Sequence, residues 1–99
     1  MALVSTAREA LSEQIAAMMG EACGRSIPRP HLSFFALGGT EAQARDLTQT
    51  VNALFALDLP ADAVMRSPTP DALARTIETA WEGSSADLIE LVRALADAA

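Results

Sequence analysis

The chain has 99 residues, 51% of them hydrophobic, and a net charge of −6. This length supports one compact domain with a small core and excludes a second domain. The acidic balance argues against nucleic acid as a partner, because phosphates attract basic surfaces, and it favours docking onto basic protein surfaces.

The charge is unevenly distributed along the chain. Residues 1–39 hold three Arg and three Glu, whereas residues 40–99 hold four Arg and ten acidic residues. A single cysteine, Cys23, excludes an intramolecular disulfide and has no companions for a metal site. No apolar run reaches the ~20 residues of a membrane-spanning helix, and the N-terminus lacks a basic region followed by an apolar core. We therefore expect a cytoplasmic protein that binds neither membrane nor metal.

The first predicted element is an amphipathic helix. Thr6 and Glu9 have the spacing of a capping box, and apolar residues then recur at helical spacing up to about residues 20–22. Residues 1–4 are expected to form a loose lead-in.

Two prolines predict a loop over residues 24–33. Pro28 and Pro30 lack backbone donors and restrict the residues before them to extended conformations. A loop of this length in a small domain is expected to pack down, with Ile27 and Leu32 pointing inward. The apolar residues that follow are expected to close the base of a bundle: Phe34, Phe35 and Leu37.

Thr40 and Gln43 predict where the second helix begins. Thr40 is a suitable N-cap, and Gln43 stands at the position of its reciprocal partner in a capping box. The helix is predicted to continue to about Phe55, with polar residues of mixed charge facing water. Its core face would consist of Ala44, Leu47, Val51, Leu54 and Phe55.

Two further helices are predicted after a short apolar link. Residues 57–60, Leu-Asp-Leu-Pro, resemble a link that leads into a minor third helix in a known family. The resemblance implies this helix over about residues 61–65, with Val64 and Met65 inward. Thr69 is a suitable N-cap for the fourth helix, and Pro70 fits its first position. This helix is predicted to end at about Trp81.

Residues 83–85, Gly-Ser-Ser, predict a break before a last amphipathic segment. Ser84 or Ser85 would cap a helix that is too short to hold a coiled coil alone. Three arrangements are open: the segment folds back on the bundle, mediates self-association through residues 84–99, or leads into a neighbouring domain. Its apolar stripe consists of Leu88, Leu91, Val92 and Leu95.

Together these elements predict an all-α fold. Residues 1–82 would form a four-helix bundle with a short third helix, and residues 83–99 a linker and an additional C-terminal helix. The predicted core consists of Leu11, Ile15, Met18, Ile27, Leu32, Phe35, Leu37, Leu47, Val51, Leu54, Val64, Leu73 and Ile77.

The stretch from residue 34 to residue 43 resembles the attachment motif of acyl and peptidyl carrier proteins of nonribosomal peptide and polyketide synthases. Phe34 and Phe35 match the aromatic pair, Leu37-Gly38-Gly39 matches the core of the motif, and Thr40 matches the polar residue before the serine. Glu41 stands at the serine position. Weaker matches at residues 57–60, 68–69 and 72–74 extend the resemblance over roughly residues 7–81.

In that family the serine hydroxyl is joined through a phosphodiester to phosphopantetheine, whose thiol carries an acyl or peptidyl group. A carboxylate has no hydroxyl to become that ester oxygen. The resemblance therefore implies a domain of a natural-product assembly line that is not an enzyme and binds no cofactor. It would either dock non-covalently with biosynthetic or tailoring enzymes or serve as a structural unit within a larger synthetase. The positions that it assigns to partner binding are Thr40, Glu41, Ala42, Arg45, Met65 and Arg66.

Two alternatives to this interpretation stay open. The chain could be a working carrier whose attachment residue is altered or unusual, although Thr40 is engaged as a cap and Ser33 precedes the aromatic pair. It could also be a helical oligomerisation module that uses residues 84–99. Glu41 itself could act only on the helix dipole, a contribution of ~0.3–1 kcal/mol when exposed.

No pattern predicts a catalytic, metal or nucleotide site. His31 is the only imidazole and has no Ser or Cys placed to pair with it. The pair Gly38-Gly39 lacks the spacing and the Lys of a phosphate-binding loop. Asp58 and Asp62 are interpreted as acids near the start of a helix.

Overall fold

The structure, a computed structural model, describes residues 2–24 and 33–98, with side chains for residues 8–24 and 33–97. These residues form five α-helices: α1 (Ala2–Cys23), α2 (Glu41–Phe55), α3 (Ala63–Arg66), α4 (Pro70–Ala80) and α5 (Ser85–Ala98). No strand occurs in the described part of the chain. The prediction of an all-α bundle with a short third helix is confirmed.

Helix α1 is the central element of the bundle, because it contacts α2, α4 and α5. Helix α3 packs against α2. Of the predicted core residues, eight are buried: Leu11, Ile15, Met18, Leu47, Val51, Val64, Leu73 and Ile77. The predictions for Ile27 and Leu32 fall outside the described residues.

Three residues of the predicted core are not buried. Phe35 and Leu54 are 37% and 36% exposed, and Leu37 is half-buried. Phe34 is buried in the core instead, and Phe55, predicted on the core face of the second helix, is buried as well.

Phe34 and Phe35 differ in burial because a turn begins at Phe34. The amide of Phe34 donates to the carbonyl of Pro68 at 2.8 Å, which fixes this part of the chain against the segment before α4. The ring of Phe34 points inward, and that of Phe35 packs edge-to-face on it with centroids 5.6 Å apart. The prediction that Phe35 is the core aromatic is therefore wrong.

Some predicted helix ends also need correction. Helix α1 begins at Ala2, so residues 2–4 are not a loose lead-in and Thr6 lies inside the helix rather than at its N-cap. Nothing before Thr6 breaks a helix, since Ala2 and Leu3 are strong helix formers. Helix α3 starts two residues later than predicted, because residues 61 and 62 form a turn. This turn is closed by a hydrogen bond from the Ala63 amide to the Pro60 carbonyl at 2.9 Å.

The last helix folds back on the bundle. Leu88 and Val92 of α5 are each only 3% exposed, and α5 contacts α1. The Ser84 hydroxyl accepts from the Asp87 amide at 3.1 Å and caps the start of α5. Self-association through residues 84–99 stays a prediction.

None of the described helices combines the length and the apolar character needed to cross a bilayer.

Candidate functional site

The start of α2 is fixed by the predicted capping box. The Thr40 Oγ1 accepts from the Gln43 amide at 3.1 Å, and the Gln43 Oε1 accepts from the Thr40 amide at 2.9 Å. Two backbone donors at the helix end are thereby satisfied, which defines where α2 begins and how the chain leads into it.

A tight turn seats this helix start on the core. The Gly39 amide donates to the Phe34 carbonyl at 3.0 Å, and Gly38 has a φ of 94°, a conformation that favours glycine. A Cβ at Gly39 would overlap the ring of Phe34. The second glycine of the pair therefore lets the backbone lie directly on the buried aromatic ring.

Glu41 is the first residue of α2 and projects into solvent. Its side chain is 66% exposed, and its Oε1 lies 3.1 Å from Nη2 of Arg45, whose side chain is 57% exposed. The carboxylate lies in the first turn of α2, near the positive end of the helix dipole. The ion pair adds little stability because solvent screens both groups.

Helix α3 lies beside α2 and carries the other two predicted partner residues. Met65 is half-buried, and Arg66 is exposed, with its Nε 2.9 Å from Oδ2 of Asp62. The hydroxyl of Thr48 on α2 accepts from the amide of Val64 at 3.4 Å. The six predicted residues are thus divided between the start of α2, which holds Thr40, Glu41, Ala42 and Arg45, and α3.

The link between these two helices is held by Asn52. Its side-chain amide donates to the Leu59 carbonyl at 3.0 Å, and its side-chain oxygen accepts from the Leu59 amide at 2.8 Å. A side chain that bonds both backbone groups of one residue fixes the path of that segment. The sequence does not reveal this role, because its pattern shows Asn52 only as a polar residue on the exposed face.

The two hydroxyl groups considered as substitutes for the attachment serine, those of Thr40 and Ser33, both accept hydrogen bonds from backbone amides. Thr40 serves as the cap, and the Ser33 Oγ accepts from the Phe35 amide at 3.2 Å. Ser33 precedes the turn that leads to α2.

The described residues contain no group of three His, Cys, Asp or Glu side chains that could hold a metal ion. Cys23 is half-buried near the end of α1, with its Sγ 3.9 Å from the Gly20 carbonyl. The Asp62 Oδ2 accepts from the Arg66 Nε at 2.9 Å. His31 lies outside the described residues.

The structure also contains a groove of about 750 Å³ between α1, α2 and α5 that the sequence does not predict, here called the lateral groove. Met18 of α1, Leu54 of α2 and Leu95 of α5 are among its lining residues. The sequence pattern predicts Leu54 in the core. In the structure Leu54 is exposed because it lines this groove. The groove depends on how α5 packs on α1, which no short-range pattern specifies.

The family model for the phosphopantetheine attachment site matches residues 13–77. The chain belongs to this family. The match covers the C-terminal half of α1, the turn before α2, α2 and α3, and most of α4. The resemblance to carrier proteins is thereby confirmed, and the chain is not itself an enzyme, because members of this family carry groups for other proteins.

A solved structure supports the same assignment. This carrier-family chain is similar to BlmI, a type-II acyl carrier protein from Streptomyces verticillus involved in bleomycin biosynthesis, with 31% sequence identity and a TM-score of 0.68. The similarity covers 75% of this chain and 89% of BlmI. No curated protein matches the chain. Helix α5 lies beyond the residues that the family model matches.

Proposed function

We propose that this chain is a carrier-like domain of a natural-product assembly line that docks with biosynthetic enzymes without carrying phosphopantetheine. The family match and the similarity to BlmI, a protein of bleomycin biosynthesis, support a place in such a system.

Glu41 is the observation that carries the proposal. In the family motif the residue after Leu-Gly-Gly and one polar residue is serine, and in this chain that residue is glutamate. Attachment requires a hydroxyl oxygen that attacks the pantetheine-bearing phosphorus of coenzyme A. The pyrophosphate bond breaks, adenosine 3′,5′-bisphosphate leaves, and the attacking oxygen becomes the ester oxygen of a phosphodiester. The Glu41 side chain offers only a carboxylate, so the first residue of α2 would remain unmodified.

The residues around Glu41 nevertheless hold the start of α2 in a fixed position with its first residue exposed to solvent. The turn on Phe34, the capping box of Thr40 and the contact between α2 and α3 hold the region in one conformation. A rigid, exposed helix end suits recognition by another protein, because little conformational entropy is lost on binding.

The surface proposed for docking consists of Thr40, Glu41, Ala42, Arg45, Met65 and Arg66. It combines two i,i+4 ion pairs, Glu41 with Arg45 and Asp62 with Arg66, with the half-buried Met65. Exposed charges of both signs set orientation and association rate, whereas a partly covered methionine adapts to the shape of an apolar partner group.

One alternative is favoured by the family match itself, which is to an attachment site. In this alternative the chain is a working carrier that is modified at an unusual residue, such as Thr40 or Ser33. Both hydroxyl oxygens accept hydrogen bonds from backbone amides, and neither occupies the first position of α2. The proposal therefore favours the unmodified state.

Intact-protein mass spectrometry separates the two functions. The unaltered chain would be incubated with coenzyme A, Mg²⁺ and a phosphopantetheinyl transferase of broad specificity, with BlmI as the control substrate. We expect BlmI to gain one phosphopantetheine and this chain to gain none.

A gain of one phosphopantetheine on the unaltered chain would contradict the proposal. The variants Thr40→Ala and Ser33→Ala would then identify the modified residue, because only loss of the true attachment hydroxyl abolishes the mass increase.

A further inference from the structure

The lateral groove is a second surface of the molecule with the properties of a binding site. Its volume of about 750 Å³ lies within the roughly 300–1,000 Å³ typical of ligand sites. Met18 and Leu47 form part of its lining and belong to the core, whereas Leu54 is 36% exposed. Leu95 of α5 closes one side. The groove therefore brings exposed apolar surface to the edge of the core.

Helix α2 presents this groove on a different face from the one that carries Glu41. At about 100° per residue, Glu41 and Arg45 project within roughly 40° of each other, whereas Thr50 and Leu54 project roughly 180–220° from Glu41. The groove and the proposed docking surface are therefore separate faces of one helix. A ligand in the groove does not need to touch Glu41 or Arg45.

The charge of the groove restricts what can occupy it. Among the residues that the structure describes, its lining includes the acidic residues Glu21 and Asp46, both exposed, and no Arg. The chain as a whole carries a net charge of −6. An occupant with basic residues at its edges and apolar residues at its centre would match both the rim and the floor.

The dimensions point to a helix as the occupant. Along α2 the lining runs from Gln43 to Leu54, and along α1 from Gln14 to Ala22. At about 1.5 Å per residue these spans are roughly 16 Å and 12 Å, the length of two to three helical turns. An amphipathic helix of that length offers apolar anchors at positions i, i+3, i+4 and i+7.

We propose that the lateral groove binds a cationic amphipathic helix from a partner protein. Its apolar face lies on Met18, Leu54 and Leu95, and its basic residues pair with Glu21 and Asp46. Because α5 completes the groove and lies beyond the family-matched residues, this site is a property of the extended chain rather than of the matched bundle alone. The chain would thus have two protein-binding faces.

A synthetic peptide tests the proposal on the full chain. The probe is a fluorescently labelled 18-residue peptide of leucine and lysine, with leucine at helical i, i+3, i+4 and i+7 spacing. Fluorescence anisotropy should give a dissociation constant on the order of micromolar. A peptide of the same composition with scrambled leucine positions should bind at least roughly tenfold more weakly, because its apolar residues do not share one face.

Charge reversal in the protein locates the binding site. Asp46→Arg in the groove should weaken binding of the amphipathic peptide roughly tenfold, whereas Asp58→Arg, outside the lining, should change it less than about twofold. Leu54→Glu should weaken binding by at least as much as Asp46→Arg. Circular dichroism would confirm that the three variants keep the helical content of the unaltered chain.

Three results would overturn the proposal. The first is no detectable binding of the amphipathic peptide. The second is equal weakening by Asp46→Arg and Asp58→Arg, which would show diffuse attraction to an acidic protein. The third is a dimer in sedimentation that Leu54→Glu converts to a monomer, which would make a second copy of the chain the occupant.

Discussion

The segments that lead into α2 and α5 are built from the same three parts: an aromatic ring, a glycine against it, and a hydroxyl N-cap. In the α2 junction, residues 34–40, these are Phe34, Gly39 and Thr40. In the α5 junction, residues 81–84, they are Trp81, Gly83 and Ser84. At each junction the ring lies where a Cβ on the glycine would meet it.

The two junctions differ in how far they are integrated into the core. Phe34 is fully buried and its amide is bonded to Pro68, a residue distant in sequence. Trp81 is half-buried, packs edge-to-face on Phe55 with centroids 6.5 Å apart, and donates from Nε1 to the nearby Ser84 carbonyl at 3.1 Å. The α2 junction is thus bonded to a distant part of the bundle. The hydrogen bonds of the α5 junction join residues that are close together in the chain. Damage to the α2 junction should affect the whole domain, whereas damage to the α5 junction should be milder.

The largest expected difference concerns the two aromatic rings. Phe34→Ala removes a fully buried ring and should destabilise the domain by about 3–5 kcal/mol. Trp81→Ala should cost about 1–3 kcal/mol, because part of the ring is already in water. Urea unfolding followed by far-ultraviolet circular dichroism measures both, since Trp81 is the only tryptophan and its fluorescence is lost in that variant.

Phe35→Ala is the matched control for Phe34→Ala. Phe35 is 37% exposed, and its replacement should cost about 1 kcal/mol or less. Equal losses at residues 34 and 35 would contradict the assignment of Phe34 as the ring that anchors the α2 junction.

A smaller difference is expected for the glycines. In Gly39→Ala the added methyl group would overlap the ring of Phe34, which is fixed in the core. This should lower the free energy of unfolding by about 1–3 kcal/mol. Gly83→Ala brings a methyl group within 2.9 Å of Nε1 of Trp81, but this half-buried ring can shift toward solvent, so the cost should be about 1 kcal/mol or less. Thermal unfolding compares the two variants, and a larger loss at Gly83 would reverse the proposed order.

The smallest effects are expected at the caps. Thr40→Ala removes the side-chain acceptor of the α2 capping box and should cost about 1 kcal/mol, with Ser84→Ala at or below that value. Amide hydrogen exchange should show faster exchange in the first turn of the affected helix. Thr40→Ser keeps the acceptor and should behave like the unaltered chain; a loss equal to that of Thr40→Ala would show that the methyl group, not the cap, stabilises the α2 junction.

The sequence predicted those features that depend on neighbouring residues. The capping box of Thr40 and Gln43, the cap of Thr69 with Pro70 after it, and the break before α5 all satisfy backbone groups within a few positions of the chain. For the same reason the start of α2 and the exposure of Glu41 could be anticipated from the motif.

Features set by packing between distant segments could not be predicted. Which of two adjacent phenylalanines is buried depends on the bond from Phe34 to Pro68, in a segment far along the chain. The exposure of Leu54 depends on the groove that α5 completes, and the position of α3 beside α2 depends on Asn52 and Thr48. These side chains carry no local pattern that distinguishes them from ordinary polar or apolar helix residues.

We infer that the bundle presents residue 41 in the geometry that attachment requires, and that only the side chain at this position prevents attachment of phosphopantetheine. Glu41→Ser restores the hydroxyl, and Glu41→Ala is its matched control without a nucleophile. Treated with coenzyme A, Mg²⁺ and the transferase, Glu41→Ser should gain one phosphopantetheine by intact mass while Glu41→Ala gains none. A Glu41→Ser variant that keeps its helical content yet stays unmodified, in a reaction that modifies BlmI, would contradict the claim.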